Sequence, residues 1–143
     1  MNKFVLAFLA ITLVVPFAHA QESDLSPYEA KTLGIAQELQ GNMEAAANYY
    51  KFAAARGNVR AQLLLANAYV HGRGVPESAM LAHAWYVTAA ALCNEELSEQ
   101  YVMRDFATPE EIALSLEVGV MFMVLLSDVE PDCSEYFDAR GPQ

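Results

Sequence analysis

The chain repeats itself. The eleven residues Glu44-Ala45-Ala46-Ala47-Asn48-Tyr49-Tyr50-Lys51-Phe52-Ala53-Ala54 lie over Met80-Leu81-Ala82-His83-Ala84-Trp85-Tyr86-Val87-Thr88-Ala89-Ala90 at a spacing of 36 residues. Ala46 falls on Ala82, the aromatic pair Tyr49-Tyr50 on Trp85-Tyr86, and the alanine pair Ala53-Ala54 on Ala89-Ala90. Self-similarity at this period belongs to stacked helix pairs, each unit burying its apolar face against the next. The residue types have a physical reason. Paired alanines let two helices approach closely, and a large aromatic one turn earlier fills the wedge where antiparallel helices diverge.

Capping residues and glycines divide the chain into about six helices. The first opens at Ser26-Pro27-Tyr28-Glu29, where Ser26 and Glu29 can form a reciprocal capping box and Pro27 presets φ; it ends at Gly41. Asn42 is expected to cap the second, which runs until Gly57 takes the left-handed position, and Asn58 to cap the third. The third helix places Ala61, Leu64, Leu65 and Ala68 on one face and stops before Gly72-Arg73-Gly74-Val75-Pro76. A fourth runs from about Ser78 to Leu92, with Leu81, Ala82, Trp85, Tyr86, Ala89 and Ala90 as its apolar stripe. A short fifth opens at Asn94-Glu95-Glu96, and Thr108-Pro109-Glu110-Glu111 starts the sixth, its acids facing the positive end of the helix dipole. No strand pattern competes with this reading.

Between the two aligned helices lie Ala54-Ala55-Arg56-Gly57-Asn58, then Ala61-Gln62, Leu65-Ala66, and Tyr69-Val70-His71-Gly72-Arg73-Gly74-Val75. With the aromatic pair and the double alanine, this series closely resembles the Sel1-like repeat, departing from it at Ala66, where the family usually has glycine, and at Glu77. The motif positions are Ala46, Tyr49, Tyr50, Ala53, Ala54, Gly57, Ala61, Gln62, Leu65, Tyr69, Gly72, Gly74, Ala82, Trp85, Tyr86, Ala89 and Ala90. The clear match covers residues 42–92, and the helix before it resembles a degenerate half-repeat. The resemblance implies an all-α fold, a short α-solenoid of antiparallel helix pairs related to tetratricopeptide repeats, whose surface binds other proteins. It implies no activity, and folds of this kind do not by themselves specify a partner.

About one and a half repeats are fewer than the three or so that usually bury one another. The sixth helix is the candidate to complete the core: Ile112, Leu116, Gly119, Met123 and Leu126 share a stripe, and Leu114, Val118, Met121, Phe122 and Leu125 occupy much of the rest. A helix apolar nearly all round is expected to be buried on more than one side, as an intramolecular cap or in a homodimer. Met121, Phe122 and Met123 form the candidate partner surface, since methionine repacks around varied ligands; filling a core is its commoner use.

The N-terminus reads as an export signal. Lys3 precedes the apolar run Phe4 to Val15, which is shorter than the roughly 20 residues that span a bilayer, and Ala18-His19-Ala20 supplies small residues before a cut ahead of Gln21. An uncleaved anchor is the alternative. The expected product is a single domain, residues 21–143, with capping helices over 94–128 and a tail over 129–143, secreted or periplasmic and without membrane insertion. Lys3 is the only charged residue in the segment removed, so cleavage takes the formal charge from −10 to −11. That sign disfavours nucleic acid and anionic lipid as partners. In an oxidising compartment Cys93 and Cys133 are expected to form a disulfide, with free thiols or an intermolecular bridge as alternatives.

Chemistry is harder to find. His71 and His83 have no evident partner in the sequence and read as structural or surface residues. Glu95, Glu96 and Glu99 could suggest a cation site, but their helical spacing near a cap suits a solvated face. Gly72-Arg73-Gly74 lacks the strand and the further glycine or lysine of a phosphate loop. No catalytic, metal or cofactor residues are assigned. The expectation is a non-enzymatic adaptor with an unknown protein partner; a self-associating structural element is the alternative, and an enzyme with an unrecognised site a remote one.

Overall fold

The computed structural model describes residues 25–93 and 108–133. Over these it contains five helices: α1 (Pro27–Leu39), α2 (Met43–Ala54), α3 (Val59–His71), α4 (Ala79–Leu92) and α5 (Pro109–Leu125). The short helix expected from Asn94, with Glu95, Glu96 and Glu99, lies outside the described residues, as does the expected signal segment 1–20. Among the described residues no helix is long and apolar enough to cross a membrane, and the one strand-like feature is an isolated bridge between Asn58 and Asp132.

Helix boundaries follow from local chemistry. The Ser26–Glu29 and Thr108–Glu111 capping boxes are both closed, each with proline at the start of the helix. The Ser26 hydrogen bonds hold the Glu29 carboxyl below its ordinary pKa. Asn58 accepts the backbone N–H of Ala61 at 2.8 Å, and Ser78 that of Leu81 at 3.2 Å. Asn42 departs from expectation. It occupies the N-cap position of α2 but caps nothing with its side chain, because its ψ of 66° turns the carboxamide away from the helix; Nδ2 instead donates to Gln37 Oε1 at 2.9 Å.

Helices pack mainly on their neighbours in the chain, α1 on α2, α2 on α3, α3 on α4 and α4 on α5. This is the one-dimensional stacking of a solenoid. Equivalent residues of the two units do equivalent work. Ala46 and Ala82, Ala53 and Ala89, and Ala54 and Ala90 are all buried. The second aromatic of each pair, Tyr50 or Tyr86, is buried, whereas the first, Tyr49 or Trp85, is half-buried at the edge of a core cluster. The Gly72–Pro76 loop folds back on the start of α2. A Cβ at Gly74 would collide with the Met43 carbonyl, and its φ of +71° disfavours other residues as well.

Gln62 has a role that the motif alone does not disclose. It is fully buried, and its Nε2 donates at 3.2 Å to the Ala54 carbonyl, which also accepts the Gly57 N–H at the end of α2. Its Oε1 has no hydrogen-bond partner among the described residues. One side chain on α3 thus adds a second hydrogen bond at the end of the preceding helix.

Beyond α5 the chain doubles back as a strap. Val129 covers Gly57, the Asp132 amide donates to the Gly57 carbonyl at 3.3 Å, and Cys133 is disulfide-bonded to Cys93 across a Cα–Cα distance of 5.7 Å. The strap therefore ties the α2–α3 turn, the end of α4 and the end of α5 together.

Candidate interaction surface

Three places on the molecule bring polar or exposed apolar groups together. The first is a notch between α1, α2 and α3. Tyr50 donates its hydroxyl to Glu38 Oε2 at 2.6 Å, and Arg73 pairs with Glu38 Oε1 at 3.2 Å and reaches Asn67. Burial, and then the Glu38 carboxylate, push the Tyr50 phenol well above its ordinary pKa, so it remains a neutral donor at any physiological pH. The cavity under this cluster is about 60 Å³. That is room for a water or two, and the polar groups satisfy one another. Arg73 sits in the α3–α4 loop and Glu38 near the end of α1, so the cluster latches one unit to its predecessor.

The second is buried between α4 and α5. His83 Nδ1 lies 2.6 Å from Ser115 Oγ, and the Ser115 hydroxyl donates to the Ile112 carbonyl at 2.6 Å. With that proton committed, Nδ1–H of His83 is the donor to Ser115. The sequence reading left His83 without a partner; its partner is 32 residues away and about two turns after the α5 cap, where nothing in the local pattern could disclose it. A serine beside a histidine invites comparison with a nucleophile and its base. Here Ser115 is fully buried, so no substrate reaches it. Gly119 continues the seam, with the Ala84 carbonyl, Val87 and Thr88 packed against its Cα. His83 meets Ser115 and the residues around 86 meet Gly119, so α4 and α5 run in the same general direction.

Burial lowers the His83 pKa below its ordinary value of 6.5. A depressed histidine binds protons more readily in the unfolded chain, so its contribution to stability is present at neutral pH and is lost as pH falls below about 6.5. His83→Gln is therefore expected to flatten the fall of melting temperature between about pH 7 and pH 5. Parallel melting profiles for the two proteins would exclude this role.

The third place is the outward face of α5. Only Ser115 and Gly119 are buried within this helix, and Leu126 is buried just beyond it. The expectation of burial on more than one side is not met by the described chain: α5 caps α4 along one strip, because small residues at 115 and 119 allow close approach while Leu114, Leu116, Val120, Val124 and Leu125 point away. Nor do Met121, Phe122 and Met123 form one surface. Successive residues on a helix point about 100° apart, so Met121 faces outward at 52% exposure, Met123 is half-buried, and Phe122 turns inward to stack on Trp85 with ring centroids 4.3 Å apart. Among the described residues no cluster of three or more His, Cys, Asp or Glu could hold a metal ion.

No protein-family model matches the chain, and no curated protein matches it. A solved structure does: the crystal structure of a protective antigen present in uropathogenic Escherichia coli strains, described as displaying an SLR, or Sel1-like repeat, fold. The two superpose with a TM-score of 0.63 over 82% of this chain, at 20% sequence identity. The fold is that of Sel1-like repeats. This chain spans about a quarter, 26%, of the antigen's length.

Proposed function

We propose that this protein is an exported, non-catalytic interaction module of the Sel1-like repeat type, which works by holding another protein. The observation that carries the reading is the Sel1-like repeat fold over 82% of the chain joined to an apolar outward face on α5. Repeat folds of this architecture present continuous surfaces built from successive units, and such surfaces serve recognition. The polar clusters are consistent with this, since Glu38, Tyr50 and Arg73 satisfy one another and Ser115 is out of reach of any substrate.

Export is part of the proposal. It rests on Lys3, the apolar run from Phe4 and the Ala18-His19-Ala20 ending, on the Cys93–Cys133 disulfide, which persists in oxidising compartments, and on the fold neighbour being a protective antigen. The test is in-cell crosslinking of the tagged full-length chain, followed by mass spectrometry of the purified product. The expected result is a mature N-terminus at Gln21 and one stoichiometric protein companion. A chain that stays in the cytoplasm uncut, or that is recovered alone, sinks the reading.

A further inference from the structure

α5 carries six large apolar side chains that are nearly half exposed or more: Leu114 48%, Leu116 46%, Val120 54%, Met121 52%, Val124 67% and Leu125 71%. Single exposed apolar residues are normal, but a contiguous row of them marks a contact surface. Their order along the helix is specific. Glu110, Leu114, Glu117, Met121 and Val124 follow steps of four, three, four and three, the alternation that keeps a seam facing a second helix. The outward centre of α5 is thus a coiled-coil seam with acids at the first and third of these five positions.

Those acids decide among occupants. From Pro109 to Cys133 the sequence has no Lys, Arg or His. Pairing α5 with its own copy would press Glu110 and Glu117 into a dry seam with no cation to meet them, and unpaired buried charge is costly. Anionic lipid is disfavoured by the same carboxylates.

We infer that the outward face of α5 docks an amphipathic helix of another protein, apolar along its seam and carrying Lys or Arg opposite Glu117 and Glu110. This rests on the module reading above and supplies the chemistry of its partner. Leu114, Met121 and Val124 provide the apolar layers, and Glu117, exposed near the middle of α5, selects against acidic helices by leaving their charge unpaired. Trp85, the only tryptophan in the chain, stacks on Phe122 of the same helix and reports occupancy of the face.

The experiment titrates the mature chain with two synthetic 21-residue helical peptides lacking aromatic residues. Both have leucine at the seam; one has lysine and the other glutamate at every second seam position. Trp85 fluorescence reads binding. The lysine peptide is expected to bind at least tenfold more tightly, Glu117→Lys to reverse that preference, Val124→Asp to abolish binding of both, and Glu44→Lys, on exposed α2 surface, to leave the preference unchanged. Circular dichroism confirms that each surface variant is folded. The inference is overturned if Glu117→Lys keeps the wild-type preference, if Glu44→Lys abolishes or reverses it, or if neither peptide binds. It is overturned equally by sedimentation showing a dimer that Val124→Asp dissociates, or by zwitterionic vesicles outcompeting the peptide. Crosslinking separates the two levels: a companion retained by Val124→Asp removes the α5 face but leaves the module reading standing, whereas a wild-type chain recovered alone removes both.

Discussion

Replacing Cys93 and Cys133 together by alanine is expected to destabilise the fold by about 4 kcal/mol, the loop-closure value for a cross-link spanning a sequence separation of 40. For a domain of this size that lowers the melting temperature by roughly 15 °C or more. The effect is local before it is global. Cys133 ends the strap that places Val129 over Gly57 and the Asp132 amide on the Gly57 carbonyl, so loss of the bridge first frees the strap from the α2–α3 turn. Calorimetry with and without reductant measures the global term, and hydrogen exchange at the Asp132 amide measures the local one. Unchanged melting after double substitution would mean that strap packing alone holds the C-terminal end.

Gln62→Glu should be nearly as damaging, at about 3–5 kcal/mol, the range for an uncompensated charge in a core. The substitution keeps the shape of the side chain. It removes the donor to the Ala54 carbonyl and places a carboxylate in a fully buried position. Gln62→Leu separates the two components. It loses the same hydrogen bond but leaves the Ala54 carbonyl its bond from the Gly57 N–H and removes the unpartnered Oε1, so its cost should be near the net ~1 kcal/mol of one hydrogen bond. Urea unfolding of the three proteins tests the order wild type, Leu, Glu. A glutamate variant as stable as the leucine variant would show that water reaches this site.

Position 62 shows what repeat matching can and cannot disclose. Gln62 was identifiable as a motif residue because its neighbours occur in a fixed order, yet its work, a buried hydrogen bond to the end of the preceding helix, depends on how α3 lies against α2. His83 is a stronger case. It stands inside the aligned segment opposite Ala47, and its partner Ser115 belongs to a helix outside the repeat. The candidate surface was legible by composition but not by face. An apolar helix at 109–128 could be read from the residues, whereas its end at Leu125 and the choice of Ser115 and Gly119 as its contact strip follow from the structure, the latter from the close approach of α4.

Helix starts, turn glycines, the aromatic and alanine pairs and the repeat period are short-range matters, governed by capping chemistry, φ preference and side-chain volume within about one turn. These the amino-acid order determined by itself, with Asn42 as the exception, because its carboxamide found Gln37 in a neighbouring helix. The Glu38–Arg73 latch, the His83–Ser115 pair, the strap over Gly57 and the outward seam of α5 were decided by tertiary structure. Each joins residues far apart in the chain or depends on which side of a uniformly apolar helix finds a neighbour, and no local propensity distinguishes one side of such a helix from another.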